Sequence, residues 1–142
     1  MVDTRGLPLA ALLTAANVTD SVVFEHLLER IPSIRLPYHR RGHPRRRPAK
    51  LHGDKGYDKP HCRRYCQRYH IGCRLARIGI ESSDRLGRHR WAGALWARER
   101  TLAWLGQFRR LTIRYERRLD IHQAFLTLAC SLICWNFVQR FC

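Results

Sequence analysis

An aspartate stands at the end of a short apolar segment in an otherwise strongly basic part of the chain. Asp54 follows Leu51-His52-Gly53 and precedes Lys55-Gly56-Tyr57. A strand would fix the backbone there while the turn exposes the carboxylate, and Mg²⁺ binds through one or two such carboxylates together with substrate phosphates. Two such ions can stabilise the attacking and leaving oxygens of a phosphodiester displacement. The alternative is a structural aspartate that caps the turn or pairs with Lys55.

A metal site of this kind needs a second acid, and Glu99 is the best candidate. It lies in "WARERTLAWL", between Arg98 and Arg100, where the apolar pattern predicts a helix from Trp91 to about Phe108. The alternative for Glu99 is an ordinary salt bridge on a helix surface. Glu116, in "RYERR", is a weaker competitor.

The charge of the chain indicates a polyanionic partner. Lys and Arg number 27 against 11 Asp and Glu, which gives a formal charge of +16 and a pI near 10.9. Nucleic acid is the commonest partner at this charge, although ribosomal and membrane-surface proteins carry similar totals. Residues 38–50, "YHRRGHPRRRPAK", form a basic loop rich in proline and glycine. This loop is either a solvated linker or a segment that grips phosphates.

The cysteines and the apolar C-terminal segment bear on location. Six cysteines without a visible secretory signal favour free thiols in a reducing cytoplasm. The apolar run 124–138 is interrupted by polar residues and is shorter than the roughly 20 residues of a membrane span, so we expect a buried or partner-facing helix and no membrane. Cys62, Cys66, His70 and Cys73 fall near one helical face, which suits zinc ligands or, preferably, a core stripe.

The apolar patterns predict a mixed α/β domain. Short apolar segments bounded by turn residues predict strands, and apolar positions at the helical period predict helices. The predicted strands are Val2-Asp3, Leu7 to Ala15, Lys50 to Gly53 and Cys73 to Ile80, and the predicted helices run from Asp20-Ser21 to Pro32, from Asp58 to His70, from Trp91 to Phe108 and from Asp120 to Phe141.

Five motifs occur in the order found in one known family. They are "DTRGLPLAALLTAANVTDS", "GDKGYD", "ERTLAWL", "FRRLTIRYERR" and "DIHQAFLTLACSLICW". Together they resemble the C-terminal half of the catalytic domain of DDE transposases of bacterial insertion sequences, in the group related to the IS4 and IS5 elements. The resemblance covers nearly the whole chain.

The resemblance implies an RNase H-like fold, with a mixed sheet and flanking helices, that carries an Asp-Asp-Glu site. Such a site binds Mg²⁺ or Mn²⁺, cuts double-stranded DNA at the element ends and joins the 3′-hydroxyl to a target. Asp54 matches the second acid and Glu99 the third, both as catalytic residues and as metal ligands. The residues expected to bind DNA are Lys55, Arg100, Arg109, Arg110, Arg114 and Arg117.

The resemblance also implies that residues 1–142 form only part of the catalytic domain, with the basic loop 38–50 and an apolar C-terminal helix over 119–142. The first strand and the first aspartate of the family belong upstream of Met1, and Asp3 does not match that acid. We therefore expect the chain to be catalytically inactive without an upstream half of the transposase. We also expect a bacterial cytoplasmic protein that associates with the nucleoid and forms a homo-oligomer. The alternative is a non-catalytic, basic DNA-binding remnant or a regulator of transposition.

One departure from the family pattern concerns the third acid. The pattern resembles Arg-Trp-x-x-Glu-Arg-Thr, whereas Arg90-Trp91 precede Glu99 by a longer gap. At about 100° per residue, nine residues on a continuous helix place Arg90 and Glu99 on opposite sides. Either the extra residues bulge out ahead of the helix, or the site is damaged.

Overall fold

The chain divides into two compact units. A computed structural model describes residues 1–34, 44–79 and 88–141. One unit is continuous and spans Ala15–Arg88, and the other combines Met1–Thr14 with His89–Cys142. Helices and a small parallel sheet together make a mixed α/β structure, as the sequence predicts.

The continuous unit is built around a strand–helix–strand motif. Strand β1, Lys50–Gly53, pairs in parallel with β2, Gly72–Leu75. Helix α2, Pro60–Arg68, connects them, as parallel strands require a crossover. Pro60 stands at the start of α2, where its fixed φ suits the first turn and its missing N–H costs nothing.

The core of this unit lies where α2 meets the inner face of the sheet and a short helix α1, Phe24–Glu29. Leu28, Cys62 and Cys66 are fully buried there, so the interpretation of the two cysteines as core residues is confirmed. The Phe24 ring meets the Tyr65 ring edge to face, with 6.1 Å between centroids.

The discontinuous unit consists of helices and the N-terminal segment. Its helices are α3, Arg88–Gly106, α4, Arg109–Thr112, and α5, Leu119–Phe141. The buried face of α5 contains His122, Leu126, Ala129 and Ile133, at helical spacing.

The strand predicted over Leu7 to Ala15 is wrong. This part of the chain contains one isolated antiparallel bridge, Val2 with Pro8, and no strand. The Leu13 amide donates instead to Gln123 Oε1 at 2.8 Å, and Gln123 Nε2 donates to the Ala11 carbonyl at 3.2 Å. Backbone groups that a neighbouring strand would satisfy are thus satisfied by a side chain of α5.

Other boundaries differ by a few residues. Helix α1 begins at Phe24 without a side-chain cap, so Asp20 and Ser21 do not start it as predicted. Strand β2 is shorter than predicted, because residues 76–79 leave the sheet, and residue 80 lies outside the described residues. Of the predicted basic loop, residues 38–43 lie outside them as well. The strand at Lys50 and the helices α2, α3 and α5 are confirmed.

Helix α5 extends beyond the apolar run that predicts it. Its segment Leu119–Arg140 is 22 residues long and is apolar enough to cross a membrane by length and composition alone. That is weak evidence, because core helices of soluble proteins meet the same condition. Large apolar side chains lie exposed along it, among them Leu128 and Trp135.

Candidate functional site

Asp54 lies one residue beyond the carboxyl end of β1. Its backbone is still extended, with φ −77° and ψ −178°, and it caps the single 3₁₀ turn Lys55–Tyr57. The Gly56 amide donates to Asp54 Oδ1 at 3.0 Å. The turn-capping interpretation is therefore confirmed, and the same hydrogen bond fixes a half-buried carboxylate at the end of a parallel strand, where ligands of α/β proteins commonly bind.

Gly53 has no side chain, and this allows Leu75 of β2 to pack closely against β1 immediately before Asp54. A Cβ at this position would lie 2.6 Å from Leu75 Cδ2 and 3.4 Å from Tyr57 Cδ2. Leu75 is the register partner of Gly53 and is buried, so it has little space to move away. The glycine before Asp54 is thus required by packing.

Asp58, predicted from the sequence only as the start of a helix, joins three parts of this unit. Its Oδ2 accepts a hydrogen bond from the Ile78 amide at 2.8 Å, and its Oδ1 accepts one from Arg63 Nε at 2.7 Å. Arg63 also donates to the Leu75 carbonyl at 3.1 Å. The hydrogen bond from Ile78 and then that from Arg63 hold the pKa of Asp58 below its usual value.

The lowered pKa predicts a loss of stability in acid. Because the folded chain binds the Asp58 proton more weakly than the unfolded chain, Asp58 stabilises the fold above the unfolded pKa of about 3.9. That stability is lost as pH falls through the lower folded pKa. We expect Asp58→Asn to be less stable than the parent chain near pH 6 and nearly equal to it near pH 2, as measured by urea unfolding. A constant difference across this range would contradict the assignment.

Glu99 lies on α3 with an exposed side chain, and the two residues after it anchor the N-terminal turn of the same unit. The Arg100 guanidinium donates to the Arg5 carbonyl and lies 5.0 Å from the centre of the Trp104 ring. Thr101 is buried, and its hydroxyl contacts the Gly6 and Ala97 carbonyl oxygens. Arg100 and Thr101 therefore stabilise the packing of the N-terminal turn on α3.

Helix α3 already begins at Arg88, so Arg90 belongs to the helix. The hypothesis that the extra residues bulge out ahead of the helix is wrong. At about 100° per residue, positions 90 and 99 fall on opposite sides of a continuous helix. The spacing of the family pattern is therefore not reproduced at these two positions, and the assignment of Glu99 rests on the Glu-Arg-Thr motif alone, without Arg90.

The basic tract folds back on itself around Glu116. Arg110 Nη1 pairs with Glu116 Oε1 at 2.9 Å, and His122 Nδ1 lies 3.3 Å from Glu116 Oε2. Burial acts to raise the pKa of Glu116, but hydrogen bonds from its own amide, from His122 and from Arg110 hold that pKa below its usual value. Glu116, the weaker candidate for the acid that would join Asp54 in a metal site, is thus paired with Arg110 and His122 within its own unit. Nothing in the sequence indicated that its side chain would be buried.

The remaining arginines of the tract are exposed. Arg114 donates to the carbonyls of Glu116 and Arg117, at 2.9 and 3.3 Å, which holds the tract in a tight turn. Arg109 and Arg117 lie on the surface of the same unit. The exposed guanidinium groups of Arg109 and Arg117 can form charge-assisted hydrogen bonds with phosphates.

The predicted site residues are distributed over both units. Asp54 and Lys55 belong to the continuous unit, whereas Glu99 and the predicted DNA-binding arginines belong to the other. Over residues 1–34, 44–79 and 88–141, no group of three or more His, Cys, Asp and Glu side chains could hold a metal ion.

Comparison with known proteins identifies the family. The family model described as "Transposase DDE domain" matches residues 1–134. The chain is similar to the "Putative transposase for insertion sequence element IS402" of Burkholderia cepacia, with 46% identity over 140 residues. The match covers 99% of this chain and 63% of that protein, so the chain spans less than two thirds of this relative. No solved structure matches. The chain belongs to the DDE transposases of insertion sequences.

Proposed function

We propose that residues 1–142 form the C-terminal part of the catalytic domain of an insertion-sequence transposase, with an RNase H-like fold. In this proposal Asp54 is the second acid and Glu99 the third acid of a site that cuts DNA at the element ends and joins it to a target. The observation that carries the proposal is the position of Asp54, held by the Gly56 amide at the carboxyl end of a parallel strand within the matched region.

The family uses divalent metal ions in general, and the donor chemistry of Asp54 fits such an ion. Carboxylate oxygens are the ligands that Mg²⁺ and Mn²⁺ prefer. Asp54 and Glu99 would each contribute one carboxylate. When bound, the metal would lower the pKa of the attacking hydroxyl and neutralise the charge that develops on the phosphate. The Gly56 amide would orient the Asp54 carboxylate, since it already donates to Oδ1.

The basic side chains would position the DNA backbone beside this site. The exposed Arg109, Arg114 and Arg117, together with Lys55, supply charge for phosphate oxygens without reading bases. Arg110 and Arg100 have partners within the chain, Glu116 and the Arg5 carbonyl respectively. Arg114 has backbone partners as well, the carbonyls of Glu116 and Arg117. We therefore assign the largest share of DNA binding to Arg109 and Arg117, whose side chains are exposed.

The first aspartate of the family matches no residue of this chain. We propose that strand cleavage requires this aspartate from sequence outside residues 1–142, and that the assembled transposase works as an oligomer on double-stranded DNA in the bacterial cytoplasm, at the nucleoid. The chain without that aspartate would bind DNA and leave it uncut.

The test is a cleavage assay with two proteins. One is the chain alone, and the other is the chain joined to the part of the Burkholderia cepacia relative that the match leaves out. We expect Mg²⁺-dependent nicking of a duplex that carries the element ends only with the joined protein, and binding without cleavage with the chain alone. Robust cleavage by the chain alone that survives Asp54→Ala would overturn the assignment.

A second function follows from the charge of +16. A basic fragment that binds the element ends without cutting them would compete with an active transposase. The same assay separates the two functions: a joined protein that binds duplex DNA, contains all three acids and still fails to cut with Mg²⁺ or Mn²⁺ would favour the regulator.

A further inference from the structure

The outer face of the β1–β2 sheet is basic. Side chains alternate along a strand, and the exposed positions are Lys50 and His52 on β1 and Arg74 on β2. The parallel register pairs His52 with Arg74. The inner face carries Leu75 and Cys73, and α2 packs against it, so the three basic side chains share the side of the sheet that α2 does not cover.

The charges on this face have no counter-ion in the described structure. Residues 44–79 contain 11 Lys and Arg but only two acids, Asp54 and Asp58. No carboxylate of residues 1–34, 44–79 or 88–141 forms an ion pair with Lys50 or Arg74. Burial, then the charges of Lys50 and Arg74, lower the pKa of His52, so the two cations act on the same point of the sheet. Lys50 and Arg74 are diagonal neighbours on one face of the sheet, and like charges there repel each other unless an anion offsets them.

The basic face leads directly to Asp54. The backbone stays extended through Asp54, so the alternation that places positions 50 and 52 outward places position 54 on the same side. An anionic chain that lies along this face therefore runs toward the carboxylate that we assign to catalysis.

We propose that Lys50, His52 and Arg74 form a binding site for the sugar–phosphate backbone of duplex DNA beside Asp54. These residues are distinct from the arginines of the other unit and from Lys55. Arg74 can grip a phosphate with two parallel N–H bonds, Lys50 supplies a point charge, and His52 donates one hydrogen bond. Contacts of this type position DNA without selecting its sequence. The proposal rests on the proposed function, because it takes DNA as the ligand.

The test compares two double variants with the same loss of charge. Lys50→Ala/Arg74→Ala removes cations from the basic face, whereas Lys59→Ala/Arg64→Ala removes exposed cations at the start of α2 and on α2, the helix that covers the opposite face. Affinity for a random-sequence duplex is measured by fluorescence anisotropy between about 50 and 200 mM salt. The affinity falls as salt rises, and each lost phosphate contact makes the plot of log K against log salt shallower by about 0.9 in slope. We expect a fall of about 1.8 for the first pair and less than half of that for the second.

The outcomes separate this inference from the proposed function. Equal slopes for the two pairs would overturn the basic face as a DNA site and leave the transposase assignment intact. Absence of duplex binding by the unsubstituted chain would overturn both. Should Lys50→Ala/Arg74→Ala lose its thermal transition, the glutamine pair Lys50→Gln/Arg74→Gln replaces it, since glutamine keeps the length of the side chain and removes the charge. The same fall of the slope is then required.

Discussion

Asp54→Asn should reduce Mg²⁺-dependent cleavage by the joined protein on the order of 10³-fold or more, which corresponds to about 4 kcal/mol of transition-state stabilisation. Asparagine keeps the size of the side chain and an Oδ1 that accepts from the Gly56 amide, so the turn persists. What is lost is the negative charge that holds a divalent cation. Glu99→Gln should have an effect of the same order, because it removes the other carboxylate without shortening the chain.

Two measurements make this prediction specific. Glu29→Gln makes the same chemical change at an exposed position on α1 and should leave cleavage unchanged within a factor of about two. Duplex affinity should not fall in Asp54→Asn, because a negative charge near phosphate has been removed. Normal cleavage by Asp54→Asn, with normal DNA binding, would contradict the assignment of the second acid.

Gly6→Ala should destabilise the unit that carries Glu99 by about 2–4 kcal/mol. Gly6 has φ +81°, which non-glycine residues rarely adopt. An added Cβ would also lie 2.9 Å from Arg100 Nη2 and 3.0 Å from the Ala97 carbonyl oxygen. The carbonyl belongs to the α3 backbone and cannot move away. The N-terminal turn would separate from α3, and the Thr101 hydroxyl would lose its contact with Gly6.

Gly79→Ala is the matched control for Gly6→Ala. Gly79 has φ +79°, nearly the same as Gly6, but among residues 1–34, 44–79 and 88–141 no heavy atom lies within 4 Å of its added Cβ. Gly79→Ala should therefore lower the free energy of unfolding only by the conformational cost of a positive φ, about 1–2 kcal/mol. Urea unfolding of both variants separates the two contributions. Equal losses of stability would show that the approach of Gly6 to α3 contributes nothing.

Local patterns in the sequence were sufficient for the elements whose partners lie nearby. Pro60 at the start of a helix and the turn after Asp54 depend on residues within one short stretch, and these predictions are confirmed. The strand before Asp54 is confirmed as well, although its partner β2 lies about 20 residues on. The long helices α3 and α5 are similar, because helix hydrogen bonds are internal to the segment.

The predictions that failed depend on distant partners. The apolar run from Leu7 looks like a strand, but a strand needs a neighbour, and here the amide of Leu13 meets Gln123, 110 residues away. The role of Asp58 was equally invisible, because it requires the Ile78 amide after β2. The role of Glu116 was missed for another reason: His122 is only six residues away, but no sequence pattern indicated the turn that brings the two together. The resemblance to the family singled out Asp54 and Glu99 as a prediction, but the motifs gave no information about the residues that surround them.

The division of the chain has a consequence for synthesis on the ribosome. Within residues 1–142, residues 1–14 are made before α5, the helix that carries their partners Gln123 and Cys134. The segment Ala15–Arg88 contains its own sheet and core and can fold while the rest is being made. The N-terminal segment can pair with itself early, through the Val2–Pro8 bridge, but it must wait for α3 and α5 to be made before it can pack on them. A protein interrupted between residue 88 and α5 would contain the Ala15–Arg88 unit, whereas Leu13 and Pro8 would lack their partners on α5.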